Sequence, residues 1–215
     1  MPDQSQSTRE HIFNAAERLF GDRGFADASL RQITDSAGVN LAAVNYHFGS
    51  KEKLYRETLL RRIRPLNEER STLLAQAEQL SGDQPIPLRA IIETFIRPVL
   101  RRAADKALGG PPLLRLISRD LADPQPFMLL EMTEEFGPLM ERYARALAKS
   151  LASVPMAEIL WGMHFTIGVL LYVAARQQDF GRLSGGLCAG DDLEGCIRRL
   201  TDFCTAGFRA LHAEK

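Results

Sequence analysis

Between Leu41 and Lys51 the chain reads LAAVNYHFGSK. An amide, a phenol, an imidazole and an ammonium stand close together there, as Asn45, Tyr46, His47 and Lys51. A carboxamide donates and accepts along one edge, so Asn45 can bond adenine N6 and N7 together in a major groove. Phenol, imidazole and ammonium groups suit phosphate oxygens, which position a protein without reading sequence. Leu41, Ala42 and Ala43 precede them, and the two alanines let a backbone approach a groove closely. This is the chemistry of nucleic-acid reading. Catalytic chemistry is harder to find. His11, His47, His164 and His212 are scattered without metal-ligand spacing. No nucleophile elbow and no phosphate-binding glycine loop is present. No catalytic residue, cofactor or metal is therefore expected, and the chain does not read as an enzyme.

The elements that must hold these side chains are short helices. Ser29 is a fitting N-cap, with Gln32 three residues on completing a capping box. Leu30, Ile33 and Ala37 then recur at helical spacing. Gly38 stands where a helix end needs a left-handed residue, and Val39 is the apolar residue under that turn. Asn40 caps a second helix, Leu41 to about His47, in which Val44 and Phe48 face a small core. Ser50 caps a third. Helix, glycine turn, helix is the arrangement that reads DNA, with the N-terminal end of the second helix at the base edges. Ahead of it, residues 1–7 read as a disordered tail. Thr8 caps a helix to about Asp22, with Ile12, Ala15, Ala16, Leu19 and Phe20 on one stripe. Gly21 and Gly24 are expected to end it, and Phe25 to plug the core.

Composition bounds the partners. Formal net charge is zero over 215 residues, with 45% apolar and 25% charged residues, as in soluble globular proteins. The run Lys51, Lys53, Arg56, Arg61, Arg62 and Arg64 faces only Glu52 and Glu57, a local basic face on a balanced chain. Cys188, Cys196 and Cys204 form no CxxC pair and read as idle thiols. The start is short and polar rather than a signal peptide. The apolar run Ile159 to Ala175 contains His164 and falls short of a spanning helix, so no membrane partner and a cytoplasmic location are expected.

Beyond Lys51 the pattern stays helical, with no strand and no repeat. One long helix bends at Pro65 and ends before the boundary SGDQPIP at Ser81 to Pro87. Helices follow from Leu88 to about Lys106, through Leu113 to Leu121, from Phe127 to Ala152 with a break at Gly137 and Pro138, from Pro155 to about Arg176, and from Asp192 to near His212. The fold class is all-α. The expected domains are an N-terminal tail and helix-turn-helix unit (residues 1–50), a connecting helix (51–80) and a helical ligand-binding and dimerisation domain (81–215). Leu193, Ile197, Leu200, Phe203, Cys204 and Phe208 lie broadly on one side of the last helix. With the apolar helix before it, they predict a homodimer through the last two long helices.

AAERLFGDRGF followed by AGVNLAAVNYHFGSKEKL resembles the N-terminal domain of TetR-family transcriptional regulators, over about residues 8–62. That resemblance places Ser29, Arg31, Leu41, Ala42, Ala43, Asn45, Tyr46, His47 and Lys51 among DNA contacts. Arg31, Leu41, Ala42, Ala43 and Asn45 fall where the family touches bases, and Tyr46, His47 and Lys51 mostly where it clamps phosphates. Two positions depart: Asn45 stands where many members carry tyrosine, and Leu41 where many carry a polar residue. Leu41 then suits a thymine methyl. The resemblance also implies a homodimer on a palindromic double-stranded operator, repression, and release by a small effector. Candidate cavity residues are Phe95, Leu113, Ile117, Phe127, Phe136, Met140, Tyr143, Trp161, His164, Phe165 and Tyr172. Trp161, Phe165, Gly168 and Tyr172 share one helical face. Arg115, Arg119, His164 and Arg176 are placed to meet an anionic group. AGVNLAAVNYHFGSK and EILWGMHFTIGVLLYVAA resemble fatty-acid-responsive members, which implies a fatty acid or acyl-CoA effector. The alternatives are a sensor of drugs or aromatic compounds on the same fold, and a helical protein-interaction module.

Overall fold

The computed structural model describes residues 4–105, 110–122 and 124–211. Among them there are nine helices and no strand: α1 (Gln4–Asp27), α2 (Leu30–Ala37), α3 (Leu41–Phe48), α4 (Lys51–Ser81), α5 (Leu88–Ala104), α6 (Gly110–Ala122), α7 (Pro126–Ser150), α8 (Met156–Leu183) and α9 (Leu193–Ala210). The fold is all-α, as the periodicity predicts.

Several ends differ from the sequence expectation. α1 starts at Gln4, so Thr8 lies inside the helix and residues 4–7 are not a tail. Gly21 stays helical, and the break comes at Gly24, whose φ of 82° is left-handed. A glycine without a Cβ takes that conformation at little steric cost. α7 runs through Gly137 and Pro138 without a break. A proline forfeits one ladder bond, and the buried face of Tyr143, Ala144 and Leu147 just beyond it outweighs that loss. α8 continues past Arg176 to Leu183. The expected end of the last helix near His212 lies outside the described residues.

The chain forms two compact units. One contains the residues up to Arg64 together with α6 and the start of α7, to Thr133. The other contains Pro65 through α5, and Glu134 onward. The expected boundary at residue 81 thus misses that α6 belongs with the N-terminal helices. Side-chain chemistry explains why. The Tyr55 hydroxyl on α4 donates to Asp120 Oδ1 on α6 at 2.9 Å, and both residues are buried. Arg115 pairs with Asp22 at 3.2 Å, and Arg119 donates to the Asp22 carbonyl. Phe20, Phe25, Tyr55 and Phe127 stack edge-on or parallel in the core between them. In the second unit α5 packs on α9 and α8. Ile91, Ile96, Leu100, Ile197 and Phe208 are buried there.

Candidate nucleic-acid interface

The caps written in the sequence hold α2 and α3 in place. The Ser29 hydroxyl accepts from the Gln32 N–H at 3.2 Å, and the Gln32 side chain accepts from the Ser29 N–H at 3.0 Å. Gly38 is left-handed at φ 67°, which closes α2 by letting the Val39 N–H reach the Thr34 carbonyl at 3.1 Å. Asn40 caps α3 by accepting from the Ala43 N–H at 2.9 Å. Ser50 does the same for Lys53 at the start of α4. α2 and α3 pin their inner faces through Ile33, Thr34, Val44 and Phe48, all buried. The Phe48 ring meets Phe13 of α1 edge-on at 4.9 Å.

With those residues turned in, the outer face is decided. Ser29, Arg31, Leu41, Ala42, Asn45 and Tyr46 are exposed, and Ala43 and His47 are half-buried. Tyr46 is 83% exposed, which no packing role explains. The side chains of Arg31, Asn45 and Tyr46 engage no polar partner among the described residues. A planar guanidinium, a carboxamide and a phenol therefore stand ready on one surface. Leu41, at 49% exposure, is an apolar point on it.

Two expectations need correcting. Lys51 does not point to solvent with this set. Its Nζ donates to the Ala26 carbonyl at 3.3 Å and lies 4.4 Å from the Phe25 ring centroid. The basic run of α4 is open only in part, with Lys53 and Arg64 exposed. Arg61 pairs with Glu10 at 2.5 Å, and Arg62 clasps the buried Glu17 at 2.8 Å, both tying α4 to α1. Glu57 of the same helix accepts from Arg9. Arg61 and Arg62 thus neutralise carboxylates of α1.

The expected cavity residues are scattered. Phe127 belongs to the N-terminal unit, against Phe25 and Tyr55. Ile117 lies half-buried on α6 in that unit too, and the Leu113 side chain lies outside the described residues. Arg115 and Arg119 are spent on Asp22. Trp161, His164, Phe165 and Tyr172 are exposed along α8. Trp161, His164 and Phe165 face away from the core, because the opposite side of α8, with Ile159, Met163 and Leu170, is the side that meets the protein. Tyr172 and Arg176 instead line a groove of about 800 Å³ between α8 and α9, with Val169, Phe180, Leu200 and Phe203. Arg176 pairs with Asp179 at 3.5 Å. Phe136 and Met140 are half-buried on α7. Phe95 and Tyr143 come together at a small cavity in the second unit, with rings 5.1 Å apart. The expected dimer face also shifts. Ile197, Leu200, Cys204 and Phe208 are buried within the subunit, which leaves Phe203 exposed on α9 beside the outward stripe of α8. Met156–Gln177 of α8 is long and apolar enough to cross a membrane by length and composition, although only 28% of its most apolar window is buried.

This capped pair of helices with an exposed second helix has known counterparts. Residues 12–58 match the model of bacterial regulatory proteins of the tetR family, and residues 93–207 match the tetracyclin repressor-like C-terminal domain. The chain belongs to the TetR family. It is 29% identical over 157 residues to the HTH-type transcriptional dual regulator CecR of Shigella flexneri, covering 69% of this chain and 66% of that one. It is 41% identical over 54 residues to the HTH-type transcriptional regulator AcrR of the same organism, covering 25% of each. The chain thus spans just under two thirds of one curated relative and a quarter of the other. Among solved structures, a TetR family transcription regulator from Marinobacter aquaeolei VT8 superposes with a TM-score of 0.67 at 16% identity, covering 94% of this chain and 97% of that one. TetR-family proteins are transcriptional regulators and not enzymes, in keeping with the scattered histidines here. Sequence reasoning missed two features of this TetR chain: the Tyr55–Asp120 bond and a buried arginine, Arg70. The second leaves a trace, since Leu66, Arg70 and Leu74 are spaced by four.

Proposed function

We propose that this TetR-family chain is a homodimeric repressor that binds a palindromic operator and leaves it when a small apolar effector binds. The observation that carries the reading is the exposed set Arg31, Asn45 and Tyr46, without a polar partner among the described residues, on a pair of helices whose ends are closed by Ser29, Gly38 and Asn40. In this reading α3 enters the major groove. Asn45 and Arg31 read base edges, Leu41 and the alanines meet the groove floor, and Ser29, Tyr46 and His47 bond phosphates. Lys51 joins them only by leaving the Ala26 carbonyl. The unit that contains α1 to α3, the start of α4 and α6 carries the reading head, and the unit from Pro65 through α5 and from Glu134 onward is the effector and dimer domain.

The dimer uses α8 and α9. Trp161, Phe165, Tyr172 and Phe203 are each more than half exposed, an apolar area that a single copy leaves in water. A second copy related by a two-fold axis covers it and sets two reading heads at the spacing of an inverted repeat. The effector is an apolar molecule, with a fatty acid or acyl-CoA as the first class to test. Action on an operator places the protein in the cytoplasm.

The test is selection of bound duplexes from a random pool, followed by titration of the complex with salt. An inverted-repeat consensus with a steep loss of affinity as salt rises is expected. Recovery of no consensus, or binding indifferent to salt, refutes the operator reading and favours a protein-interaction module.

A further inference from the structure

α4 carries an arginine on a face that otherwise buries apolar groups. Leu66, Arg70 and Leu74 follow at intervals of four, with Asn67 one turn before Arg70, and all are buried. Arg70 is 5% exposed and Asn67 is 8% exposed. A buried guanidinium is costly unless an anion lies against it. Among the described residues no carboxylate is bonded to Arg70. Its Nε donates to the Phe95 carbonyl at 3.1 Å, and its Cζ stands 3.8 Å from the Phe95 ring centroid. Burial pulls its pKa down to about 10, so it remains charged at neutral pH. The adjacent carboxylate, Glu69, already accepts from Arg102 at 3.0 Å. Two guanidinium groups thus share one carboxylate, and one positive charge is left over.

Asn67 is the second anomaly. Its Nδ2 and Oδ1 are both buried without a hydrogen-bond partner. Buried amides are almost always satisfied, because an orphaned donor forfeits its hydration for nothing. The Tyr143 hydroxyl lies on the same cluster, bonded to the Arg70 carbonyl at 3.3 Å and to Thr94 Oγ1 at 3.1 Å. Phe95 and Tyr143 hold Arg70 on one side. On the other they wall an apolar cavity of about 20 Å³ with Ile91, Leu147, Met163 and Phe208. That volume has room for about one water.

We propose that Arg70 and Asn67 form an anion-selecting head-group site beside this cavity, for the carboxylate of a small apolar acid. The inference rests on the reading of the chain as an effector-responsive regulator and names the effector's class. The carboxylate takes charge-assisted bonds from the Arg70 guanidinium and the Asn67 Nδ2. The apolar body enters between Phe95, Leu147 and Phe208 and widens the cavity. One unmatched charge suits a monoanion better than a phosphate dianion. A thioester of the same acid ends in a neutral carbonyl and leaves Arg70 unmatched, so the free acid is the ligand.

Calorimetric titration of the full DNA-free chain tests this, with octanoate against octanol and 3-phenylpropanoate against 3-phenylpropanol. At least one acid is expected to bind about tenfold tighter than its alcohol, the gain of a charge-assisted contact. Arg70→Gln should abolish that preference and leave the alcohol's affinity unchanged. Asn67→Leu supplies a second measure. It removes an orphaned amide, so it should melt no lower than wild type, yet bind the acid about fivefold more weakly. If neither acid outbinds its alcohol, or if both variants keep the acid's affinity, the site is refuted. Operator release is read separately. Release by acid and alcohol alike would spare the regulatory reading and remove the site. Binding through Arg70 without release would keep the site and remove the regulatory reading.

Discussion

Tyr55→Phe isolates the bond that joins α6 to the reading head. The Tyr55 ring has Phe20 at 4.9 Å and Phe25 at 5.2 Å, both edge-on, and a phenylalanine keeps those contacts. No cavity opens, so the change removes only a hydroxyl that donates to Asp120 at 2.9 Å. Both residues are buried, at 1% and 8% exposure, so water cannot replace the bond cheaply. A buried hydrogen bond to a carboxylate contributes about 1.5–3 kcal/mol. Two further polar ties, Arg115 with the Asp22 carboxylate and Arg119 with the Asp22 carbonyl, are exposed, and the ion pair contributes no more than about 1 kcal/mol. The Tyr55–Asp120 bond is therefore a buried part of the α6 attachment that water does not screen. Trp161 is the only tryptophan and belongs to the other unit, so its fluorescence reports on the wrong place. Hydrogen exchange of the α6 amides is the right assay. Protection there should fall about tenfold to 150-fold, the stated energy converted at 1.4 kcal/mol per decade. Combining the change with Asp120→Asn completes a double-mutant cycle. Unchanged protection in Tyr55→Phe, or fully additive effects in the cycle, would show that the bond does not hold α6.

Other outcomes follow from the same geometry. A Cβ at position 162 would lie 2.5 Å from the Phe208 ring, so Gly162→Ala should lower stability by about 1–3 kcal/mol in denaturant titration. Ser29→Ala removes the α2 cap and should cost about 1 kcal/mol, with operator affinity falling in step. Asn45→Ala should relax preference at one position of each half-site by about 1–3 kcal/mol, whereas Tyr46→Phe should weaken all duplexes alike. The Gly195 N–H, and then Arg199, hold the Asp192 carboxyl below its usual range. A depressed folded value means that this cap stabilises α9 above the unfolded pKa and is lost as pH falls through the folded one. Amide exchange at residues 193–196 should accordingly rise in acid, and should not in Asp192→Asn.

The reading head was legible in the sequence because it is local. Ser29 with Gln32, Gly38 and Asn40 act on backbone groups three or four residues away, so their types alone set where α2 and α3 begin and end. Val44 and Phe48 follow from helical period, and once they turn inward Asn45 and Tyr46 must turn outward. What depends on contacts between distant segments was not legible. Lys51 looked like a phosphate clamp until Phe25 and the Ala26 carbonyl met it, and Arg61 and Arg62 looked like an open basic face until Glu10 and Glu17 did. Trp161, Phe165 and Tyr172 were seen to share one face, but periodicity cannot say which side of a nearly all-apolar helix meets the core. That choice belongs to α5, far upstream in the chain, and to α9, the next helix, which meet α8 only through the folded packing.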